Sequence, residues 1–252
     1  MVTLKTPEEI KKISASGKIL AKAFKKVAKE AKEGYALNYL DKLAYQLIVK
    51  EGARPAFLGY RPNGAAHPYQ ASICASVNNV IVHGYPSNYK LKSGDVLKLD
   101  FGVLYNGFYS DAALTVIVGK SNVETKKLVR ATKLALERAI KIAQVGNTLG
   151  DIGWIIEQTA KKAGFKPVRD LTGHGIGSKL HEEPTVYNYG ERKQGMKLRS
   201  GMVLAIEPIF SAGSDQTIQE EDESWATADG SLSAHFEHTI AITDKGPKIL
   251  TK

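Results

Sequence analysis

Cysteine is nearly absent from this chain: Cys74 is the only one among 252 residues. A lone thiol forms no intramolecular disulfide and no thiolate cluster for zinc, so a metal held here would rest on His, Asp and Glu, a hard and oxygen-rich donor set. Long apolar runs are missing too. Nothing approaches the roughly eighteen consecutive apolar residues of a membrane span, and the early Glu8 and Glu9 leave no room for a signal-peptide core. Neither insertion nor export is expected, and the cytoplasm is the expected compartment. Nucleic-acid motifs are also lacking, although the net charge is +9 and the pI about 9.4. That charge suits an anionic partner such as RNA or a ribosome surface, or a merely soluble basic exterior, because the lysines are spread over helix faces. What is present is ample core material, 43% hydrophobic residues. The length suits one domain over residues 1–252, with pseudo-repeat halves at about 1–118 and 119–252.

Thr6-Pro7-Glu8-Glu9 offers an N-cap, a proline at N1 and a glutamate at N3, and Ile10, Ile13, Gly17, Leu20, Phe24, Val27 and Ala31 then trace one helical face. Gly34 ends that helix. Asn38 and Asp41 mark the start of a second, closed by Gly52. Residues 54–70, with prolines, glycines and several aromatics, read as an irregular loop able to wall a pocket. Strands are expected at 72–77 and 80–83. A capping box at Ser121 and Glu124 opens a third helix, and a fourth runs from about Leu149 to Ala163 before Gly164. One strand is expected from Met202 to Phe210, then a hairpin turning at Asp229-Gly230 whose second strand reaches about Thr243. Each half thus reads helix, helix, histidine-bearing segment, carboxylates on strands, with no repeat visible residue by residue. Paired long helices beside strands predict an α+β fold with helices packed on one side of the sheet.

The most informative stretch runs from Leu97 to Thr115. Asn106-Gly107 predicts a type I′ hairpin turn, because both central positions need φ > 0. Tyr105 then faces Phe108, Gly102 faces Asp111, and the period of two puts Asp100 on the same face. Asp100 and Asp111 become diagonal neighbours about 7 Å apart, close enough to share ions. The plainer alternative is a pair of solvated carboxylates. Further along, His174 lies between glycines, Glu207 follows the apolar run Val203-Leu204-Ala205-Ile206, and Glu237 precedes Thr239-Ile240-Ala241-Ile242. Singly each is weak evidence. Together they are more, since an unpaired carboxylate in an apolar strand costs several kcal/mol unless a cation neutralises it.

The order Asp100, Asp111, His174, Glu207, Glu237 resembles the dinuclear site of the methionine aminopeptidase family. The surrounding words carry the likeness over nearly the whole chain: Cys74-Ala75-Ser76-Val77-Asn78 leading to His83-Gly84, Gly173-His174-Gly175-Ile176-Gly177 followed by His181-Glu182-Glu183-Pro184, Ile206-Glu207-Pro208, and Phe236-Glu237-His238-Thr239. The resemblance implies the pita-bread (creatinase/aminopeptidase) fold, with two pseudo-symmetric halves of curved antiparallel sheet and helices on the outer side. It is similar to the type I class in its short form. It implies two divalent ions, Mn²⁺, Fe²⁺ or Co²⁺ with Zn²⁺ also compatible, bridged by Asp111 and Glu237. Asp100 would chelate one ion, and His174 and Glu207 the other. Glu207 would also shuttle a proton, His181 would stabilise the oxyanion, and His83 would contact the scissile amide.

By the same resemblance Tyr60, Cys74 and Trp225 line an apolar methionine pocket. Phe57 and Leu180 belong to it as departures, bulkier and smaller respectively than the family's usual residues. A monovalent cation is implied near Asn78, Val80 and Ser233, while His67, His235 and His238 read as structural. The expected substrates are N-termini of nascent polypeptides with a small second residue, and the expected state is a monomer. The alternatives are a proline-specific aminopeptidase or dipeptidase of the same fold, and a non-catalytic homologue that binds ribosomes or RNA.

Overall fold

The computed structural model describes residues 2–61 and 66–252. In chain order the elements are α1 Pro7–Glu30, α2 Leu37–Lys50, β1 Arg54–Pro55, β2 Cys74–Val77, β3 Val80–Val82, β4 Val96–Tyr105 and β5 Phe108–Ile117. There follow α3 Val123–Ile142, α4 Leu149–Ala163, β6 Lys166–Pro167, β7 Gly173–Gly175, β8 Glu182–Val186, β9 Val203–Ile206 and β10 Ile209–Ser211. The chain ends with β11 Thr217–Gln219, β12 Trp225–Thr227, β13 Ser233–His235, β14 Glu237–Thr243 and β15 Gly246–Ile249. The expected aromatic loop holds the short β1, and its residues 62–65 lie outside the described residues. Among the described residues no helix is long and apolar enough to cross a membrane.

A nine-stranded sheet runs in the order β1-β4-β5-β14-β9-β7-β8, with β2 also paired to β4 and β15 to β14. The β4–β5 hairpin has the expected register, Tyr105 opposite Phe108 and Gly102 opposite Asp111, with Asn106 and Gly107 at φ 49° and 79°. Alternation then sorts the strands. Leu97, Leu99, Phe101 and Val103 join the core beneath α1 and α2, where Phe101 stacks on Phe24 at 3.8 Å. Leu204, Ile206, Ile240 and Ile242 do the same beneath α3 and α4. The opposite parity, Asp100, Asp111 and Glu237, is left for the other face.

Five local expectations give way. The second helix begins at Leu37, because Ala36 is held by a backbone bridge to Lys90; Asp41 instead accepts from Ser72 N–H (2.7 Å) and Ile73 N–H (3.1 Å). Asn122, not Ser121, caps α3 by accepting from Thr125 N–H. The early strands are shorter than expected, the first starting late at Cys74–Val77 and the second stopping early at Val80–Val82. The expected strand from Met202 to Phe210 is broken after Ile206, because Pro208 has no N–H to continue the ladder, and its second piece, β10, joins a different sheet with β13 and β6. Asp229-Gly230 makes a turn but no hairpin: β12 pairs with β11 and β3, and β13 with β10.

A repeat at residue level does exist. Leu91-Lys92-Ser93-Gly94-Asp95-Val96-Leu97-Lys98-Leu99-Asp100 aligns with Leu198-Arg199-Ser200-Gly201-Met202-Val203-Leu204-Ala205-Ile206-Glu207. The hydrogen bonds repeat with it. Gly34 N–H donates to Leu91 O and Gly146 N–H to Leu198 O, while Leu91 N–H returns to Tyr35 O and Leu198 N–H to Asn147 O. Gly94 and Gly201 both sit in left-handed backbone, at φ 100° and 92°, at matching positions ahead of Asp100 and Glu207.

Candidate metal centre and active site

Strand register brings the acidic side chains together. Asp100 pairs with Ala113, and Ala113 with Glu237, so these three form a row across β4, β5 and β14 with Asp111 two residues along β5. His238 pairs with Ile206, so Glu207, the next residue, emerges opposite Glu237. His174 enters from β7, opposite Ala205. The junction between halves is pinned beside the row, where Thr239 Oγ1 accepts from Asp111 N–H (2.9 Å) and donates to Asp111 O (2.7 Å).

All five lie on one cavity of about 1150 Å³. Asp111, His174 and Glu237 offer ligand atoms within 4.8 Å of one another. His174 Nδ1–H donates to Gly175 O at 2.8 Å, which fixes the tautomer and leaves Nε2 with its lone pair, 3.9 Å from Glu207 Oε1. Among the described residues, Asp100 Oδ1 and Glu237 Oε1 are buried without a hydrogen-bond partner. Burial, then mutual repulsion, pushes the Asp111 and Glu237 carboxyls well above the usual range. Burial likewise raises Asp100 and Glu207 to about 7. Four crowded carboxylates with one lone pair and two orphaned oxygens fit divalent cations of the hard to borderline kind.

This crowding has a stability consequence. A carboxyl held protonated by the fold, at a pH where the unfolded chain has ionised it, withdraws stability as pH rises. For Glu237 the loss begins near its ordinary value of 4.5 and continues upward. In chelator, Glu237→Gln is therefore expected to melt above the wild type at pH 7.5, with the gap closing toward pH 4.5. Calorimetric melting temperatures that track each other across that window would sink this account.

The remaining site residues surround the cavity. Phe57, Tyr60, Cys74, Leu180 and Trp225 all line it, with Cys74 and Leu180 each 2% exposed. His83 and His181 line it as well, both solvent-accessible. His83 holds φ 61°, a left-handed backbone unusual for a residue with a Cβ and concentrated at functional sites. His181 packs edge-on against His174 with centroids 4.4 Å apart, and its Nδ1 lies 2.6 Å from the Tyr60 hydroxyl. Two features were missed in the sequence. His235, read as structural, is buried with Nε2 3.5 Å from Glu207 Oε2. Lys98, on the same strand face as Asp100, is 1% exposed and donates from Nζ to Asn78 O at 2.6 Å. That carbonyl lies where a monovalent ion was expected, and burial holds the Lys98 amine beside it well below the usual lysine range. His67 also lines the cavity, and His238 Nδ1 is bonded to Thr251 Oγ1 at 2.9 Å, away from it.

Comparison with known proteins agrees with this geometry. The description "metallopeptidase family M24" matches residues 11–244. The methionine aminopeptidase of Aquifex aeolicus is 45% identical over 256 residues, covering 100% of this chain and 99% of that protein. A crystal structure of methionine aminopeptidase from Thermotoga maritima superposes with a TM-score of 0.95 at 43% identity, each chain covered in full at 100%. A prolidase from Pyrococcus furiosus shares the fold at a TM-score of 0.79 and 27% identity, but this chain covers only 65% of it. The sheet with helices on its outer side is the pita-bread fold, and this chain belongs to metallopeptidase family M24 and, within it, to the methionine aminopeptidases.

Proposed function

We propose that this chain is a metal-dependent aminopeptidase that removes the initiator methionine from nascent polypeptides whose second residue is small. One observation carries most of the weight: the register that aligns Asp100, Asp111, Glu237 and Glu207 across both halves, with His174 presenting a free Nε2. In this reading residues 1–252 form one catalytic domain whose halves, about 1–118 and 119–252, each contribute ligands. Two divalent ions, Mn²⁺, Fe²⁺ or Co²⁺ with Zn²⁺ also compatible, would be held here, Asp111 and Glu237 serving both, Asp100 one, and His174 and Glu207 the other. When bound, the ions supply Lewis-acid polarisation and an acidified water.

The chain's own side chains do the rest. Glu207 holds a proton on its carboxylate and passes it to the leaving amine. With the Tyr60 hydroxyl donating to Nδ1, His181 keeps its proton on Nε2 and donates to the carbonyl oxygen as it becomes an oxyanion. His83 binds the scissile amide. Methionine lies among Phe57, Tyr60, Cys74, Leu180 and Trp225. Phe57 and Leu180 pack in one cluster with Ala56 and Ile176, so the larger and the smaller side chain share a wall and compensate in volume.

The deciding measurement is a panel of Met-Xaa-Ser tripeptides. Release is expected to be fast when Xaa is Gly, Ala or Ser, slower for Val and Thr, and minimal for large residues. Leu180→Phe is expected to alter the ranking without altering metal affinity. A flat profile, or faster cleavage before Leu, Lys or Phe, would overturn the assignment. The prolidase reading predicts cleavage before proline, and this chain's lower coverage of such proteins weighs against it. A silent ribosome- or RNA-binding homologue is disfavoured because unligated Asp111 and Glu237 would be buried liabilities. The chain is read as a cytoplasmic monomer. Its lysine-rich helix faces are read as a weak ribosome contact, and cosedimentation indifferent to salt would remove that part alone.

A further inference from the structure

His235 is a buried side chain that the proposed chemistry leaves unused. It is 1% exposed, and among the described residues neither ring nitrogen has a hydrogen-bond partner. Buried polar groups are rarely left so, because an unmade bond forfeits the cost of desolvation. Its mount is rigid. The backbone N–H donates to Thr115 Oγ1 at 2.9 Å, and that hydroxyl donates back to His235 O at 2.7 Å. On β13 the residue pairs with Ile209 of β10. Two residues earlier, the Ser233 N–H and hydroxyl both lie 3.2 Å from Asn78 O, the carbonyl that also accepts from Lys98 Nζ. The ring is therefore delivered to one place.

That place is the back of Glu207. Nε2 stands 3.5 Å from Oε2, while Oε1 of the same carboxylate is 3.9 Å from His174 Nε2. The gap exceeds the roughly 2.7–3.2 Å of a formed N–H···O bond by only a few tenths of an ångström. We infer that His235 is a positioning residue for Glu207: as a neutral imidazole it donates Nε2–H to Oε2, which keeps Oε1 turned toward His174 and the ion held there. A carboxylate free to rotate about its last bond would present either oxygen, so fixing one defines the geometry of the other.

This inference rests on the metallopeptidase reading, and its test separates the two. Binding of Mn²⁺ or Co²⁺ alone is measured by titration calorimetry for the wild type, His235→Leu and His235→Gln, with melting temperatures as a control for folding. His235→Leu is expected to weaken metal binding by roughly 10- to 100-fold and to lower kcat on a Met-Ala peptide while leaving KM nearly unchanged. His235→Gln, whose amide N–H can reach the same oxygen, is expected to recover most of both. Wild-type affinity in His235→Leu would overturn the inference. So would a His235→Gln protein that melts like the wild type yet binds metal as poorly as the leucine variant, since the ring would then be filling space. Absence of methionine release from every protein, with the affinity pattern intact, would remove the proposed function and leave the positioning role standing.

Discussion

Exhaustive chelation is expected to abolish methionine release, and in Asp111→Ala or Glu237→Ala added metal is expected not to restore it. The Cys74 thiol is not available to take over: it is 2% exposed, and burial followed by the nearby Asp100 charge pushes it well above the usual range, so it is not a thiolate. Asp111 and Glu237 sit where β5 meets β14, the junction of the two halves, and they are the residues proposed to serve both ions. Their loss is expected to exceed the roughly 10²- to 10³-fold cost of a single oxyanion donor. Asp100→Ala is expected to weaken one ion only, and excess metal partly restores it. Metal analysis beside kcat distinguishes these cases. Full turnover after chelation, or two ions retained at wild-type affinity in Asp111→Ala, would falsify the shared-ligand arrangement.

How much of this was legible depends on the reach of each signal. The Asn106-Gly107 turn and the period of two placed Asp100 and Asp111 correctly, because a two-residue turn fixes a register outright. Gly164 ended α4 as expected, at φ 78°. Glu207 was found by its apolar context, but the strand it ends was drawn too long; Pro208, which breaks the ladder, was the available sign. The repeat from Leu91 and from Leu198 was readable in the letters and became evident only once both Ser-Gly turns were seen to make the same bonds. His235 and Lys98 were not legible. Their importance comes from contacts between distant segments, β13 against Glu207 and β4 against the Asn78 turn, and no local spacing encodes those.

His181→Ala is expected to slow the chemical step by roughly 10² to 10³, the usual loss for an oxyanion donor, while leaving metal content at the wild-type level. The separation follows from position. His181 lies against His174 with its Nδ1 already taken by the Tyr60 hydroxyl, and in the proposed arrangement its removal takes away a donor and no ligand. Tyr60→Phe is expected to cost less, about 1 kcal/mol or up to tenfold, because it removes only the bond that selects the tautomer and leaves the ring in place. Burial raises the Tyr60 phenol, so the hydroxyl keeps its proton and can donate to Nδ1 through the neutral pH range. The decisive readout is single-turnover kinetics with metal content measured on the same samples. Loss of metal in His181→Ala would make the residue a ligand, and an unchanged chemical step would assign the oxyanion to some other donor.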